Sequence, residues 1–546
     1  MRAADIIVKC LEANGIGRVY CVPGESYLAL LDALYGSSIE VIICRHESGA
    51  GFMAVAEARL TGKPAVFLVS RGPGATNGSI AIHVAEQDAT PVLLFIGQVS
   101  RLERTRGAFQ EVDYTQFFGG MAKGVYEVHD ASKMAEIVTR SLRLTAEGKP
   151  GPVVISLPED VLSDEAGEHV PAPFPLAVAH HGPSDVATIL AMIEQAENPI
   201  VVAGAMLRGA RGTVALQKFA EALRIPVAVT WKNQDIFDNA SPLYAGHIGF
   251  GNPPKHRQVL ANADLIIAVG TRLGDVASLN YTFPAAPEPK QKIIHIYPDG
   301  ECVGRVFRTD FGLIADPVGV LIDLAAHPRV VSSARESWRA SINDFVRDFQ
   351  VFKSPEPNDG IDFGKVVVSL AAQAPADAII TTDAGNMSTW VHRHWVMTPK
   401  NTLLGAIAGA MGFGVPTAVA ASIHDKKRMA ITFVGDGGVL MTGQELATAV
   451  QYGGKPKIVI SDNGIYGTIR THQEKHYPHR VSGTDLVNPD FTMWAKSFRV
   501  FTQTIAIGDD IDVKVKAFLD HDGAAVLHVK SSKEALSAFT TLSALN

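Results

Sequence analysis

The stretch Met429-Ala-Ile-Thr-Phe-Val-Gly-Asp-Gly-Gly438 decides the fold, because an apolar run ends there in glycines that flank one carboxylate, Asp436. The apolar residues predict a short buried strand. A second apolar strand is predicted at 458–460, and Asn463 follows it in the same way. Each polar signal therefore lies at the carboxyl end of a buried strand.

One helix is predicted between these two strands. The pattern Thr442-Gly-Gln-Glu445 is typical of a capping box, Leu446, Ala449 and Val450 would share one face, and Gly453 would end the helix. In such a strand-helix-strand unit, the loops at the strand ends converge on a crevice where ligands bind.

The residues of these loops indicate what the crevice would bind. Glycines let the backbone approach a phosphate, and the oxygens of Asp436 and Asn463 are hard ligands suited to Mg²⁺. A diphosphate bridged by Mg²⁺ fits this set best. Taken alone, an Asp between glycines is also common turn chemistry.

The spacing adds a resemblance. Asn463 lies 27 positions after Asp436, within Ser461-Asp-Asn-Gly-Ile-Tyr-Gly467. This pair resembles the signature of thiamin diphosphate enzymes, and the acetolactate synthase-like and 2-oxo acid decarboxylase branch is the most similar. The resemblance implies Mg²⁺ ligation by Asp436, Asn463 and the backbone carbonyl of Ile465. It implies cofactor contacts from Gly435, Asp436, Gly437, Gly438, Asn463, Ile465 and Tyr466.

Composition limits the class of protein. The 546 residues are 47% hydrophobic and 19% charged, with a net charge of −7, which predicts a globular chain and no nucleic-acid partner. Four cysteines form no Cys-x-x-Cys pair, which favours a reduced, cytoplasmic setting. No signal peptide and no apolar run of the roughly 20 residues needed to span a bilayer are apparent, so no membrane partner is expected.

Alternating strand and helix patterns predict an α/β fold of three tandem doubly wound domains with mostly parallel sheets. We place them at 1–165, 185–335 and 360–535, separated by polar and proline-rich linkers. By resemblance, the first binds the pyrimidine ring, the second is Rossmann-like and the third binds the diphosphate. The first and third would meet across a subunit interface, which implies at least a homodimer, and a tetramer is common among relatives.

Glu47 is the first catalytic candidate. It follows the predicted strand 41–44 within Arg45-His-Glu-Ser-Gly-Ala50, and an isolated Glu there would simply favour the helix dipole. A zinc motif is rejected, because Ala50 stands where the second His is required. By resemblance, Glu47 would hydrogen-bond N1′ of the aminopyrimidine and bind the cofactor there.

Two segments resemble other parts of the cofactor site. In Gly409-Ala-Met-Gly-Phe-Gly414, Met411 would lie under the bent cofactor and the Gly409 carbonyl would accept from its 4′-amino group. If the family resemblance is set aside, Met411 is expected to be an ordinary residue of the hydrophobic core. Gly385 and Asn386 follow another strand and would face the diphosphate, although a strand-end turn is the plain alternative.

Substrate candidates are weaker. Gln110, as a second catalytic residue, and Phe109 resemble residues that face the reacting carbons, and Gln110 could equally be a surface amide. Ser26 and Ser70 occupy turns where relatives contact substrate. His472 belongs to a His-rich segment that we predict to be a mobile loop over the site, since Pro478 argues against a helical metal site.

The predicted function is a thiamin diphosphate- and Mg²⁺-dependent lyase or carboligase that acts on a 2-oxo acid. The segment after Asn463 lacks the Trp of relatives that make branched-chain precursors, which puts that role in doubt. FAD is possible but not favoured, because 275–283 lacks the expected Arg. Alternatives are a flavin- or nicotinamide-linked oxidoreductase and a non-catalytic cofactor-binding paralogue.

Overall fold

The structure, a computed structural model, describes residues 1–328 and 333–545 and contains three six-stranded sheets. In the first, the strands are β1 Arg18–Cys21, β2 Glu40–Ile43, β3 Ala65–Val69, β4 Val92–Gln98, β5 Gly124–Glu127 and β6 Pro152–Pro158. The second contains β7 Pro199–Ala203, β8 Val227–Thr230, β9 Tyr244–Ile248, β10 Leu265–Val269, β11 Lys292–Tyr297 and β12 Phe311–Ile314. The third contains β13 Ile379–Thr382, β14 Thr402–Gly405, β15 Ala430–Gly435, β16 Lys457–Asp462, β17 Phe501–Ile505 and β18 Ala525–Lys530.

All pairings are parallel, in the orders 2-1-3-4-6-5, 12-11-10-7-8-9 and 14-13-15-16-18-17. The predicted α/β class with parallel sheets is confirmed. Central strands such as β4 and β6 are buried along their whole length, because helices cover both faces.

The helices complete the layers. The first domain has α1 Ala3–Ala13, α2 Leu28–Tyr35, α3 Glu47–Thr61, α4 Gly72–Gln87, α5 Tyr114–Phe118, α6 Met134–Ala146 and α7 Glu159–Ser163. The central domain has α8 Pro183–Gln195, α9 Ala210–Leu223, α10 Pro254–Leu260, α11 Pro317–Ala325 and α12 Ser333–Gln350. The third has α13 Phe363–Gln373, α14 Met387–His394, α15 Gly414–His424, α16 Asp436–Thr442, α17 Leu446–Tyr452, α18 Gly467–His476, α19 Phe491–Ser497 and α20 Ile511–Asp520.

The helix between β15 and β16 differs from its prediction. It begins at Asp436, and a 3₁₀ turn, Gly443–Glu445, divides it into α16 and α17. The predicted capping box is wrong, because the Thr442 hydroxyl donates to the Gly412 carbonyl at 2.6 Å and Glu445 points to the first domain. Val450 is exposed rather than buried. The predicted end is confirmed at Gly453, whose φ is +68°.

The first and third domains share a hydrophobic core within one chain. Helices α3 and α15 pack against each other, and the rings of Phe52 and Phe413 lie 5.3 Å apart, edge to face. Where all three domains meet, Arg59 forms a buried ion pair with Asp88 at 3.2 Å and donates to the Gly405 carbonyl. Asp235 of the central domain accepts from the Leu403 amide at 2.8 Å. Strand β14 is therefore held by both other domains.

The central domain has its own core, and Trp338, Ile342 and Val346 of α12 belong to it. The three sheets lie within the ranges 1–165, 185–335 and 360–535. As domain limits these ranges stay predictions, and α12 continues to pack past residue 335.

Candidate functional site

The carboxyl ends of β13, β15 and β16 meet at one edge of the third sheet, beside a cavity of about 240 Å³. The cavity is lined by every cofactor residue predicted in this domain, namely Gly385, Asn386, Gly409, Met411, Gly435, Asp436, Gly437, Gly438, Asn463, Ile465 and Tyr466. Parallel pairing explains the grouping, because it brings successive strand ends to one edge.

Three helices begin at this cavity. The residues before α14, α16 and α18 are Asn386, Gly435 and Tyr466, and all three line it. The first backbone N–H groups of a helix have no partner within the helix, and they carry the positive end of its dipole. Three such ends directed at one cavity suit an anion with several oxygens, such as a diphosphate.

Asp436 is the buried carboxylate of the site. One oxygen accepts from the Gly437 amide at 2.9 Å, and the other accepts from the Gly464 amide and from Asn488 Nδ2, both at 2.8 Å. Burial raises the pKa of Asp436, and these hydrogen bonds act in the opposite direction. Asn488, which the sequence analysis missed, lies 52 positions beyond Asp436 and belongs to no motif.

The donor set fits a hard divalent cation. Asp436, Asn463 and Ile465 line the same cavity and offer a carboxylate, an amide oxygen and a backbone carbonyl, which are the oxygen ligands that Mg²⁺ accepts. The Asn463 oxygen also accepts from the Ile465 amide at 3.3 Å, which holds this turn together.

Glycine is required at two cavity positions. A Cβ on Gly437 would come within 2.5 Å of the Tyr466 ring, and a Cβ on Gly438 within 2.6 Å of Asp383 Oδ2.

The side-chain amide of Asn386 already donates to Thr471 Oγ1 at 3.2 Å and to the Leu536 carbonyl at 3.1 Å. Donation from this amide to a diphosphate stays a prediction and would replace one of these bonds.

Asp383 supports the loop that carries Gly409 and Met411. It is fully buried, and its carboxylate accepts from the Ala384 amide at 2.7 Å and the Gly412 amide at 3.0 Å. Burial raises the pKa of Asp383 to about 6. No sequence motif predicts a role for Asp383, because an Asp at the end of a strand gives no sign of what it will contact.

The segment that follows β18 forms another wall of the cavity, and no sequence motif predicts it. Ser531, Ser532, Ala535 and Leu536 line the cavity. Asp359 holds this segment, since its carboxylate accepts from the Ser532 hydroxyl and from the amides of Lys533 at 2.9 Å and Glu534 at 3.1 Å.

The candidates of the first domain form a separate group. Glu47 Oε2 accepts from Asn77 Nδ2 at 3.0 Å, and the hydroxyls of Ser26 and Ser70 lie 3.2 Å apart. The Gln110 carbonyl accepts from the Gly72 amide at 3.0 Å, and Phe109 is 74% exposed. Among the described residues, the cavity of the third domain is lined only by positions between 363 and 536, so it does not include this group.

His472 lies on α18 and is exposed, with its ring stacked on His476 at 6.2 Å. This segment is helical as far as His476, so the predicted loop is wrong for residues 467–476. The helix turns Thr468 and Ile469, rather than His472, toward the cavity.

A second cavity, of about 410 Å³, lies where the three domains meet. It is lined by Gln87 and Asp88, by the turn 270–272 after β10, and by Gly409. Gly409 borders both cavities and has a φ of +70°.

No helix in the described part of the chain combines the length and apolar character needed to cross a membrane.

Comparison with known proteins shows the family of the chain. Residues 1–117, 186–324 and 383–529 match the N-terminal TPP binding, central and C-terminal TPP binding domains of the thiamine pyrophosphate enzymes. The chain is 30% identical to the acetolactate synthase isozyme 2 large subunit of Escherichia coli, covering 97% of this chain and 95% of that protein. It is 31% identical to a probable acetolactate synthase large subunit of Methanocaldococcus jannaschii, covering 94% and 89%. The mitochondrial acetolactate synthase catalytic subunit of Saccharomyces cerevisiae is 28% identical, and the match covers 98% of this chain and 81% of that protein. The chain therefore belongs to the thiamine pyrophosphate enzymes and is an enzyme of the acetolactate synthase-like kind.

Proposed function

We propose that this enzyme uses thiamin diphosphate and Mg²⁺ to cleave the bond between the carboxylate and carbonyl carbons of a 2-oxo acid. It then protonates the remaining fragment or joins it to a second carbonyl compound. The cavity at the third sheet carries the proposal, because three helix starts and three oxygen ligands surround it. When bound, thiamin diphosphate supplies the carbanion and the electron sink of such reactions.

Residues of the chain would bind the metal and the cofactor, orient the rings and transfer the proton. Asp436, Asn463 and Ile465 would hold Mg²⁺, and the helix starts would hold the diphosphate oxygens. Met411 and Gly409 would orient the two rings. Glu47 would hold a proton at N1′ of the aminopyrimidine, and Gln110 would donate to a substrate oxygen.

We further propose that each active site takes Glu47 from a second copy of the chain. Glu47 and the cavity lie apart in one chain, which supports a site completed by a partner. Exposed apolar side chains near both halves support the same arrangement, with Phe109 74% exposed, Leu440 48% and Met441 44%. The assembly would be at least a homodimer, with a tetramer as the expected larger form.

Replacement of Glu47 by Gln tests the proposed function. Gln keeps the size but cannot hold the proton, so exchange of the thiazolium C2 proton for deuterium should fall at least about a hundredfold. The dissociation constant for thiamin diphosphate should change little. Unchanged exchange would remove Glu47 from the mechanism.

Mixing two inactive variants tests the shared site. A heterodimer of Glu47→Gln and Asp436→Asn chains would place both changes in one active site and leave the other intact. Activity should therefore return on mixing. If each chain supplies its own Glu47, the mixture stays inactive.

A panel of 2-oxo acids, with and without aldehyde acceptors, tests the reaction itself. Carbon dioxide release that requires both cofactors is expected, and mass analysis of the products separates decarboxylation from ligation.

The absence of FAD stays a prediction, which the visible absorbance of purified protein would test. The cytoplasm is the proposed compartment, supported by four buried, unpaired cysteines.

A further inference from the structure

Glu445 is a buried carboxylate for which metal and cofactor binding give no reason. It lies nine positions after Asp436, in the 3₁₀ turn between α16 and α17, and none of its surface is exposed. Its partners lie in the first domain and on α17. Oε1 accepts from the amides of Arg45 and His46, both at 3.0 Å, and Oε2 accepts from the Thr448 hydroxyl at 2.6 Å.

These two amides belong to the two residues directly before Glu47. His46 is also the N-cap of α3, and its Nδ1 accepts from the Ser48 amide at 3.2 Å. Glu47 is the first residue of this helix, so its backbone position depends on where Arg45 and His46 are held. Glu445 is the group that holds both.

The close approach has a visible requirement in the sequence. A Cβ on Gly49 would come within 2.3 Å of Glu445 Oε1, so only glycine leaves room for the carboxylate. Two further side chains of α17 contact the strand that leads to Glu47. The Tyr452 hydroxyl accepts from the Ile43 amide at 2.8 Å, and the Thr448 hydroxyl lies 3.4 Å from the Ile43 carbonyl. Positions 445, 448 and 452 share one helical face.

Burying the Glu445 carboxylate costs free energy, because the charged group loses its contact with water. A buried carboxylate has to recover the free energy that it loses on leaving water. Here it recovers it from three neutral hydrogen-bond donors and from the positive charge of Arg45. Removing the acceptor would leave two partly buried N–H groups unpaired directly before α3, which begins at Glu47. A hydrophobic side chain of the same size would fill the space but could not position the loop.

We propose that Glu445 is a positioning residue for Glu47, acting from the diphosphate-binding domain through the backbone amides of Arg45 and His46. The inference rests on the proposed function, because it gives Glu47 its proton-transfer role. Glu445 itself touches neither cofactor nor substrate in this arrangement. Replacement of Glu445 should therefore slow the proton transfer that depends on Glu47 and leave cofactor binding unchanged.

The variants Glu445→Met and Glu445→Gln separate position from packing. Met keeps the volume without an acceptor, and we expect C2 proton exchange to fall at least about tenfold with little change in the dissociation constant for thiamin diphosphate. Gln keeps one oxygen for the two amides and can turn its NH₂ toward Thr448, so exchange should stay within about threefold of the unmodified enzyme. The exposed residue Gln451, which accepts from the Arg45 guanidinium at 2.6 Å, provides the matched control, and Gln451→Ala should change neither quantity.

A second measurement needs no cofactor. Backbone hydrogen exchange of a peptide that covers 44–48 should accelerate in cofactor-free Glu445→Met and stay slow in Glu445→Gln and Gln451→Ala. The double variant Glu47→Gln/Glu445→Met should lose no more C2 exchange than Glu47→Gln alone, because Glu445 acts through Glu47.

The failures are distinguishable. If Glu47→Gln leaves C2 exchange unchanged, the role of Glu47 and this inference both fail. If Glu47→Gln abolishes exchange but Glu445→Met matches Gln451→Ala, only the inference fails. If Glu445→Met does not fold, Glu445→Asp retains the charge but withdraws it from the amides, and wild-type exchange in that variant would overturn the inference.

Discussion

Asp436 accepts three hydrogen bonds from its own chain, from two backbone amides and from Asn488. These donors fix the carboxylate at the edge of the cavity, so a cation would meet a preorganised ligand. Burial raises the pKa of this group, and a divalent cation beside it would lower that pKa again. Metal binding should therefore weaken as the pH falls.

Replacement of Asp436 by Asn should lower the Mg²⁺-dependent affinity for thiamin diphosphate by at least about tenfold, because one charged ligand oxygen is lost. Titration of the apoenzyme with cofactor at several Mg²⁺ concentrations measures this. Asp462→Asn is the control, since Asp462 also accepts from Asn488, at 2.8 Å, but does not line the cavity. Equal losses in both variants would contradict a direct metal role for Asp436.

Single residues of the site were predictable where a local pattern carried the chemistry. Asp436 and Asn463 each follow an apolar run, and parallel pairing then brings them together. Asp383 and Asn488 were missed, because their roles come from contacts across 29 and 52 positions. No local pattern describes such contacts.

At the scale of elements, five strands have a sequence pattern too weak to predict, namely β5, β9, β12, β14 and β17, and all of them lie at sheet edges. Strands β5, β12 and β17 are only partly buried, and β9 contains Gly246 and His247, so a continuous apolar run is missing. The central strands were predictable because they are buried on both faces. The terminal segment after β18 was also missed, and it completes the cavity.

Replacement of Asp359 by Ala should loosen this terminal segment. Three donors would lose their acceptor, which should cost about 1–3 kcal/mol locally and weaken cofactor binding by about tenfold. Hydrogen exchange of residues 531–545 should accelerate, and cofactor titration gives the affinity. Glu356→Gln is the control, because Glu356 makes an exposed ion pair with Lys365 at 2.7 Å. Unchanged exchange in Asp359→Ala would show that the segment is held by other contacts.

At the scale of the whole molecule, three domains pack through buried polar groups as well as through apolar ones. His256 is buried inside the central domain, and it shows how a buried polar group sets acid stability. Its Nε2 lies 3.0 Å from the Ala245 carbonyl and its Nδ1 lies 2.6 Å from Asn252 Nδ2. Burial lowers the pKa of His256 from 6.5 to about 4. The unfolded chain takes up this proton between pH 6.5 and 4, and the folded chain does not, so stability falls as the pH falls through that window.

His256→Gln should therefore flatten the dependence of unfolding free energy on pH between about 6.5 and 4, by up to about 3 kcal/mol at about 1.4 kcal/mol per pH unit. Denaturant titrations across this range measure the slope. His424→Gln, a change at an exposed position, should leave the slope unaltered. Parallel slopes for His256→Gln and the unmodified protein would contradict the prediction.

The wall formed by Ser531, Ser532, Ala535 and Leu536 also sets an order of events during synthesis. Domains fold as the chain leaves the ribosome, from the N-terminus onward. All eighteen strands found among residues 1–328 and 333–545 precede this wall in the chain, so the ribosome releases the wall after the sheets. A nascent enzyme therefore passes through a stage in which its sheets have emerged but its cofactor cavity is open on one side. Capture of the cofactor in a closed cavity therefore has to wait until residues 531–536 have emerged as well.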